Sequence, residues 1–281
     1  MAGVEIFYFS GTGNSLAVAR DMAETLSAQL TPVVSTMDRE RVDTEADVVG
    51  LVFPIYDFKP PPVLEEFVPK LEGIGSKYLF AVCTYGLAPA QSLRHLDKVI
   101  RSCGGYLSMG FAVGMPHSGI GSGAIGEARR ERMFRDWKDR RGEICESINS
   151  GEKGSIESSP LLVSLFQSGV VGMLPSLMRP LLAFMKQVLL KGTESLGFTS
   201  SERCDGCRMC ERVCPVENIE IIDHRPVWSD HCAGCFACLN WCPQGAISLG
   251  GLDMNIRTYH HPEVKLSDML RHRRQIVSAE G

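Results

Sequence analysis

No excess of charge marks this sequence. Its 281 residues carry 29 Lys and Arg against 33 Asp and Glu, a net charge of −4 with a pI near 6.0. Neither a nucleic-acid footprint nor a polybasic membrane contact is therefore expected. The opening MAGVEIFYFS has no basic n-region and no small-residue cleavage site, so a secretory leader is not expected. Cysteine is nearly absent from the first 200 residues, where Cys83, Cys103 and Cys145 stand apart and read as buried thiols. That distribution, in a chain this long, does not fit the disulfide framework of a small secreted domain. One uncharged run, residues 158–178, is long enough to suggest a membrane span. Gln167, Gly169, Gly172 and Pro175 interrupt it, and Arg179 and Lys186 follow closely. A buried or membrane-grazing helical pair is expected there instead.

Hydrophobic content of 44% and charged content of 22% are ordinary for a globular chain, and the length suits two domains. The first 150 residues alternate strand and helix signals. Apolar runs at residues 4–9, 48–53, 78–84 and 111–115 read as strands, with a brief strand at 33–36 after Pro32. Between them, residues from Leu16 to Leu26, 63–71 and 91–101 show helical spacing. This alternation predicts an α/β fold, a doubly wound parallel sheet of five strands covered on both faces. A charged helix follows from Glu127 to about Ile148, with Phe134, Trp137, Ile144 and Ile148 as its apolar stripe. Residues 149–160 (NSGEKGSIESSP) read as a linker. The expected organisation is a nucleotide-type domain over 1–150, a linker and apolar helical segment over 151–200, a cysteine module over 201–250 and a tail over 251–281. The role of residues 158–190 stays open between docking of the domains, a homodimer contact and a membrane contact.

Eight of the eleven cysteines lie between Cys204 and Cys242. They form one pattern twice: Cys204-x2-Cys207-x2-Cys210-x3-Cys214-Pro215, and Cys232-x2-Cys235-x2-Cys238-x3-Cys242-Pro243, offset by 28 residues throughout. Three thiolates two residues apart wrap one iron–sulfur cube, and the fourth crosses to the other cube. Hence Cys204, Cys207, Cys210 and Cys242 are assigned to one [4Fe–4S] cluster, and Cys232, Cys235, Cys238 and Cys214 to a second. Zinc sites typically use two CxxC pairs separated by a longer loop, which this is not. Here the chain resembles the bacterial two-cluster ferredoxins over residues 202–249, including a hairpin-like insert at 219–228 and Gly245-Ala246-Ile247.

The other motif is Ser10-Gly11-Thr12-Gly13-Asn14-Ser15, between a strand and a helix. Two glycines let the backbone close around an anion, three hydroxyls and an amide add donors, and the helix N-terminus points at the same spot. Leu16 stands where the third glycine of a dinucleotide fingerprint belongs, and no GK[ST] ending makes it a Walker A loop. The loop carries no cation, which suits a monophosphate held by neutral donors. It resembles the flavodoxin FMN-phosphate loop, [ST]-x-T-G-N-[ST]. That resemblance, with the doubly wound rule, places a flavin ring beside the ends of strands one and three. Strand three ends in Pro54-Ile55-Tyr56-Asp57 and strand four in Thr84-Tyr85-Gly86. Tyr56 and Tyr85 are candidates to flank the ring, with the backbone around Gly86 at its edge.

Taken together, the two halves, Met115-Pro116 after strand five and the tail Tyr259-His260-His261-Pro262 resemble the flavodoxin–ferredoxin fusion family. The resemblance implies FMN, two [4Fe–4S] clusters and redox partner proteins rather than nucleic acid. Gly121-Ser-Gly-Ala-Ile-Gly126 satisfies GxGxxG but begins six residues after its strand, and no later strand ends in the acid that an NAD site needs. It reads as a loop near the flavin. An electron relay is the leading functional expectation, in an oxygen-poor cytoplasm where thiolate-bound cubes survive. A flavin-dependent reductase of a small organic substrate, with His117 or Tyr56 as proton donor, and a redox- or oxygen-sensing module are the alternatives.

Overall fold

The computed structural model describes residues 3–119, 125–159, 197–249 and 258–270. Elements are numbered in chain order: β1 Val4–Tyr8, α1 Asn14–Leu26, β2 Gln29–Pro32, β3 Val48–Pro54, α2 Pro62–Phe67, β4 Tyr78–Tyr85, α3 Ser92–Ser102, β5 Leu107–Gly114, α4 Glu127–Asn149 and β6 Ser155–Ile156. Six parallel strands lie in the order β2-β1-β3-β4-β5-β6. The first five reproduce the 2-1-3-4-5 order of a flavodoxin-type doubly wound sheet. Strands β3 and β4 are continuous apolar runs because helices cover both faces. Their core joins Phe7, Phe53, Phe67, Phe80, Leu51 and Leu64. Gly50 has no side chain because Phe80 fills the space beside it.

The sheet has six strands where five were expected. β6 lies within the polar stretch read as linker, and Met109↔Ser155 and Gly110↔Ile156 pair it to β5. Two residues give no periodicity to read. They are held by a charged clip instead: Glu157 accepts the Ala112 N–H at 2.7 Å and pairs with Arg140 of α4. The strand expected at residues 33–36 is also displaced. The strand is Gln29–Pro32, and Val33–Thr36 forms a 3₁₀ turn. Ser35 Oγ donates to the Pro32 carbonyl and Thr36 Oγ1 to that of Val33, local bonds that outcompete the β propensity of the valines. The helix expected over 63–71 is α2 followed by a 3₁₀ turn, Val68–Lys70, where Pro69 cannot donate an N–H.

Helix α4 packs back on α1 as its stripe required. Trp137, Ile144 and Ile148 are buried, and the Trp137 indole donates to Asp21 Oδ2 at 2.7 Å.

The C-terminal module contains β7 Phe198–Ser200, α5 Met209–Val213, β8 Ile219–Ile222, β9 Arg225–Trp228, α6 Ala237–Asn240 and β10 Ile247–Leu249. β8 and β9 form the expected hairpin, while β10 returns to pair antiparallel with β7. The 28-residue sequence repeat is also a backbone repeat. Gly206 and Gly234, Arg208 and Phe236, and Glu217 and Gly245 all take left-handed φ angles. The Asn218 and Ala246 amides donate to Cys214 Sγ and Cys242 Sγ, both at 3.3 Å. Alternating αR and αL residues turn successive amides inward as anion-binding nests.

Among the described residues no helix is long and apolar enough to cross a membrane. The run at 158–178 lies outside the described residues from 160 onward, as do residues 121–124 of the GxGxxG stretch.

Candidate functional site

Four strand ends converge on one pocket at the carboxyl edge of the sheet. Ser10, Gly11, Thr12, Asn14 and Ser15 come from the loop after β1, Pro54 to Asp57 from β3, Thr84 to Gly86 from β4, and Met115 to Gly119 from the loop after β5. Every flavin-site residue expected from sequence lines it except Gly13, which shapes the loop from behind with φ +96° at the start of α1. The empty space is about 640 Å³, and none of its lining residues among those described is Lys or Arg. An anion there would be held by neutral donors and a helix start.

The donors are not all free. Ser10 Oγ accepts the Gly13 N–H at 3.1 Å, and Ser15 Oγ lies 2.8 Å from Thr84 Oγ1. Asn14 is a clasp: its Nδ2 donates to the Pro116 carbonyl at 2.8 Å, and its Oδ1 accepts the Tyr259 hydroxyl at 2.7 Å. Thr12 is buried, and among the described residues no hydrogen bond engages its hydroxyl, which makes it the loop's clearest side-chain donor. His117 and Tyr85 also line the pocket, and the His117 ring packs so close to Gly86 that a Cβ there would meet Nδ1 at 2.9 Å. Burial raises the hydroxyl pKa of both Tyr56 and Tyr85, so both are neutral phenols.

The cysteines surround two further cavities. Cys204, Cys207, Cys210 and Cys242 line one; Cys214, Cys232, Cys235 and Cys238 line the other. These are the two interleaved quartets expected from the spacing. Among the described residues no three His, Cys, Asp or Glu groups converge on a single-ion site. The sulfurs of each quartet instead line the wall of one shared cavity.

The two cavities differ. The first is outer: Cys207 is exposed and Cys204 half-buried. The second is inner, with Cys214, Cys235 and Cys238 buried and an aromatic wall of Phe198, Trp228 and Phe236. Burial pushes the Cys210 thiol up to about 11 and raises those of Cys235 and Cys238 well above the ordinary range. Ligation must therefore expel protons from these thiols. At the inner cavity the buried Asn218 Nδ2 has no acceptor among the described residues. The Trp228 indole N–H meets no oxygen or nitrogen acceptor there and lies close enough to Cys238 to favour its thiolate. Thiolate ligands and N–H groups turned toward sulfur fit a sulfide-rich anionic group.

Residues 203–247 match the family model of the 4Fe-4S dicluster domain. The chain joins a flavodoxin-type sheet to a ferredoxin-type dicluster domain. The dicluster match supports iron–sulfur ligation by the cysteine runs. An uncharacterized protein of Methanocaldococcus jannaschii is 36% identical over 55 residues, 20% of this chain. The chain spans about a fifth of that relative, 21% of its length. Solved structures similar to this chain include the two-electron reduced flavodoxin of Megasphaera elsdenii, at 20% identity, covering 40% of this chain and 85% of that one with a TM-score of 0.30. A flavodoxin from the domain Archaea is 14% identical, with 50% and 98% covered and a TM-score of 0.32. Rubredoxin oxygen:oxidoreductase from Desulfovibrio gigas is 15% identical, with 53% and 36% covered and a TM-score of 0.35. The flavodoxin-type assignment rests on strand order and parallel register.

The sheet and the dicluster domain share a wall. Gly234 and Phe236, inside the second cysteine run, line the phosphate-loop pocket. Trp241 Nε1 donates to the Gly11 carbonyl at 3.0 Å, and Asn240 Nδ2 to that of Ser118 at 2.9 Å. These partners are 230 and 122 residues apart in sequence, and no local pattern announces them. The tail adds a clasp: the His261 N–H donates to the Thr12 carbonyl at 2.9 Å, and Val264 packs on Gly13.

Burial holds His261 down to about 4, and its Nδ1 accepts the Glu263 N–H as only neutral imidazole can. Folded, it resists protonation that the unfolded chain accepts near 6.5. Its contribution is thus complete above about pH 6.5 and drains away as pH falls toward 4, roughly 3 kcal/mol in all. Trp241, stacked on His260 at 4.2 Å, should report the tail's release by fluorescence over this range. His261→Asn should flatten that response, and an unchanged profile would exclude His261 as its origin.

Proposed function

We propose that this protein is an iron–sulfur flavoprotein that relays electrons between two [4Fe–4S] clusters and FMN, to or from a partner oxidoreductase. The observation that carries this is the shared wall, with Gly234 and Phe236 serving the inner cysteine cavity's loop and the phosphate-loop pocket at once. Cys204, Cys207, Cys210 and Cys242 would hold the outer cluster, and Cys214, Cys232, Cys235 and Cys238 the inner one. The loop Ser10 to Ser15 would receive the flavin phosphate, with Thr12 as side-chain donor, Gly13 shaping the turn and Asn14 bracing it, alongside Ser10 and Ser15 in the lining, while Pro54, Tyr56, Thr84, Tyr85 and Gly86 would flank the ring. Bound there, the clusters supply one-electron steps and the flavin a two-electron store. The protein orders them: an exposed outer site for a partner, an inner site walled by aromatic rings, then the pocket. Amides and the Trp228 indole favour the anionic state of the inner site, and the rings exclude water.

The test is oxygen-free purification with iron, sulfide and flavin analysis, followed by mixing with a one-electron donor. Brown protein with eight irons and one FMN, whose flavin bleaches after its clusters, supports the relay. Zinc, or an iron-free protein, sinks it. A second reading, a reductase of a small organic molecule, draws on His117 in the pocket lining. It requires turnover that fails in His117→Ala while flavin and iron are retained.

A further inference from the structure

Gly11 is the unexplained residue of the phosphate loop. The flavodoxin-type pattern it resembles, [ST]-x-T-G-N-[ST], leaves its position free. Its φ lies outside the left-handed region, so the backbone does not demand glycine. Its carbonyl is engaged by the dicluster domain, accepting Trp241 Nε1 at 3.0 Å. What forbids a side chain is the dicluster domain. A Cβ on Gly11 would lie 2.6 Å from the Cys235 carbonyl oxygen, 2.9 Å from Cys235 Cβ and 2.9 Å from the Tyr56 hydroxyl.

We infer that Gly11 is a positioning residue for electron transfer: its bare Cα lets Cys235 close on the phosphate loop and fixes the gap between inner cluster and flavin. The inference rests on the relay proposed above. Two of the three obstructing atoms are the backbone oxygen and Cβ of Cys235, a residue that the inner cluster would anchor, and the third is the Tyr56 hydroxyl. The Cys235 atoms cannot swing aside as the end of a long side chain could, so an added methyl must part the two modules. Restoring ordinary contact from 2.6 Å to at least 3.4 Å moves them by most of an ångström. Each transfer oxidises the inner cluster by one electron. Two such electrons and two protons from solvent convert oxidised flavin to its fully reduced form, and a reduced viologen resupplies the clusters.

The experiment uses the full chain with all cofactors, mixed anaerobically with reduced viologen in stopped flow; Cys235→Ala gives the background of direct flavin reduction. Gly11→Ala should slow flavin bleaching measurably below the wild-type rate, because electron tunnelling falls off exponentially with the gap, and Gly11→Val should slow it further. Iron and flavin contents should stay at wild-type levels. Hydrogen exchange should rise over residues 10–12 and 233–241 in both variants, a readout independent of turnover. Wild-type rates in Gly11→Val at full cofactor content would overturn the inference. If the Gly11 variants lose flavin outright, Trp241→Phe decides, since it removes the donor to the Gly11 carbonyl without adding bulk. Slower bleaching then supports the inference and an unchanged rate overturns it. A wild type whose flavin bleaches no faster than background fails the relay itself, and the inference falls with it.

Discussion

Cys235→Ala should lose the inner cluster, keep the outer one and cut the flavin off from cluster-borne electrons. The residue lines the buried cavity with Cys214, Cys232 and Cys238, and a cube deprived of one ligand in an aromatic enclosure has no solvent thiol to replace it. Its loss also orphans Cys214, which comes from the first run. Cys204→Ala should act on the opposite cavity, where Cys207 is exposed. It should strip the outer cluster and leave the inner one in place beside the flavin. Iron analysis and the spectra of the reduced clusters separate the two outcomes. The interleaved assignment fails if both variants keep the wild-type iron content. Because binding of metal by thiolates is coupled to folding, each variant should also unfold at lower denaturant concentration than the wild type.

Thr12→Val should release the flavin while the brown clusters remain. The residue is buried and lines the pocket in a loop without cations. A hydrogen bond to a charged group contributes about 1.5–3 kcal/mol, so affinity should fall roughly 10- to 100-fold. Asn14→Ala should behave differently. Its amide spends both ends on protein partners, Pro116 and Tyr259. Removing it should therefore loosen the tail as well as the flavin, and raise protease sensitivity around residue 259. Flavin titration of the two variants, with proteolysis beside it, distinguishes a ligand contact from a clasp. Wild-type flavin affinity in Thr12→Val would remove Thr12 from the phosphate site.

Much of this was legible in the sequence, and the reasons are physical. Buried parallel strands such as β3 and β4 are continuous apolar runs because both faces are covered. Paired cysteine runs at cube-corner spacing announced which four cysteines would share a cavity, and the fold groups them so. The misses share a different cause. β6 is held by Glu157 and Arg140 rather than by a pattern, and Val33–Thr36 turned where hydroxyl bonds captured the carbonyls. Gly234 and Phe236 enter the flavin pocket through tertiary packing that no window of sequence contains. Asn14 was read as a ligand donor, and its type and place were right for that. Only the fold revealed that Pro116 and Tyr259 already held it.

The segment that bolts the phosphate loop shut lies far downstream of it in the chain. Tyr259, His261 and Val264 reach Asn14, Thr12 and Gly13, so roughly 250 residues must leave the ribosome before the lock can turn. Domains fold as they emerge, the N-terminal one first. The sheet is therefore finished with its anion cradle still open, and both cysteine runs appear before the closure arrives. Closure of the cradle thus waits on a segment made after everything it closes over, so the loop stays unlatched until Tyr259, His261 and Val264 have emerged.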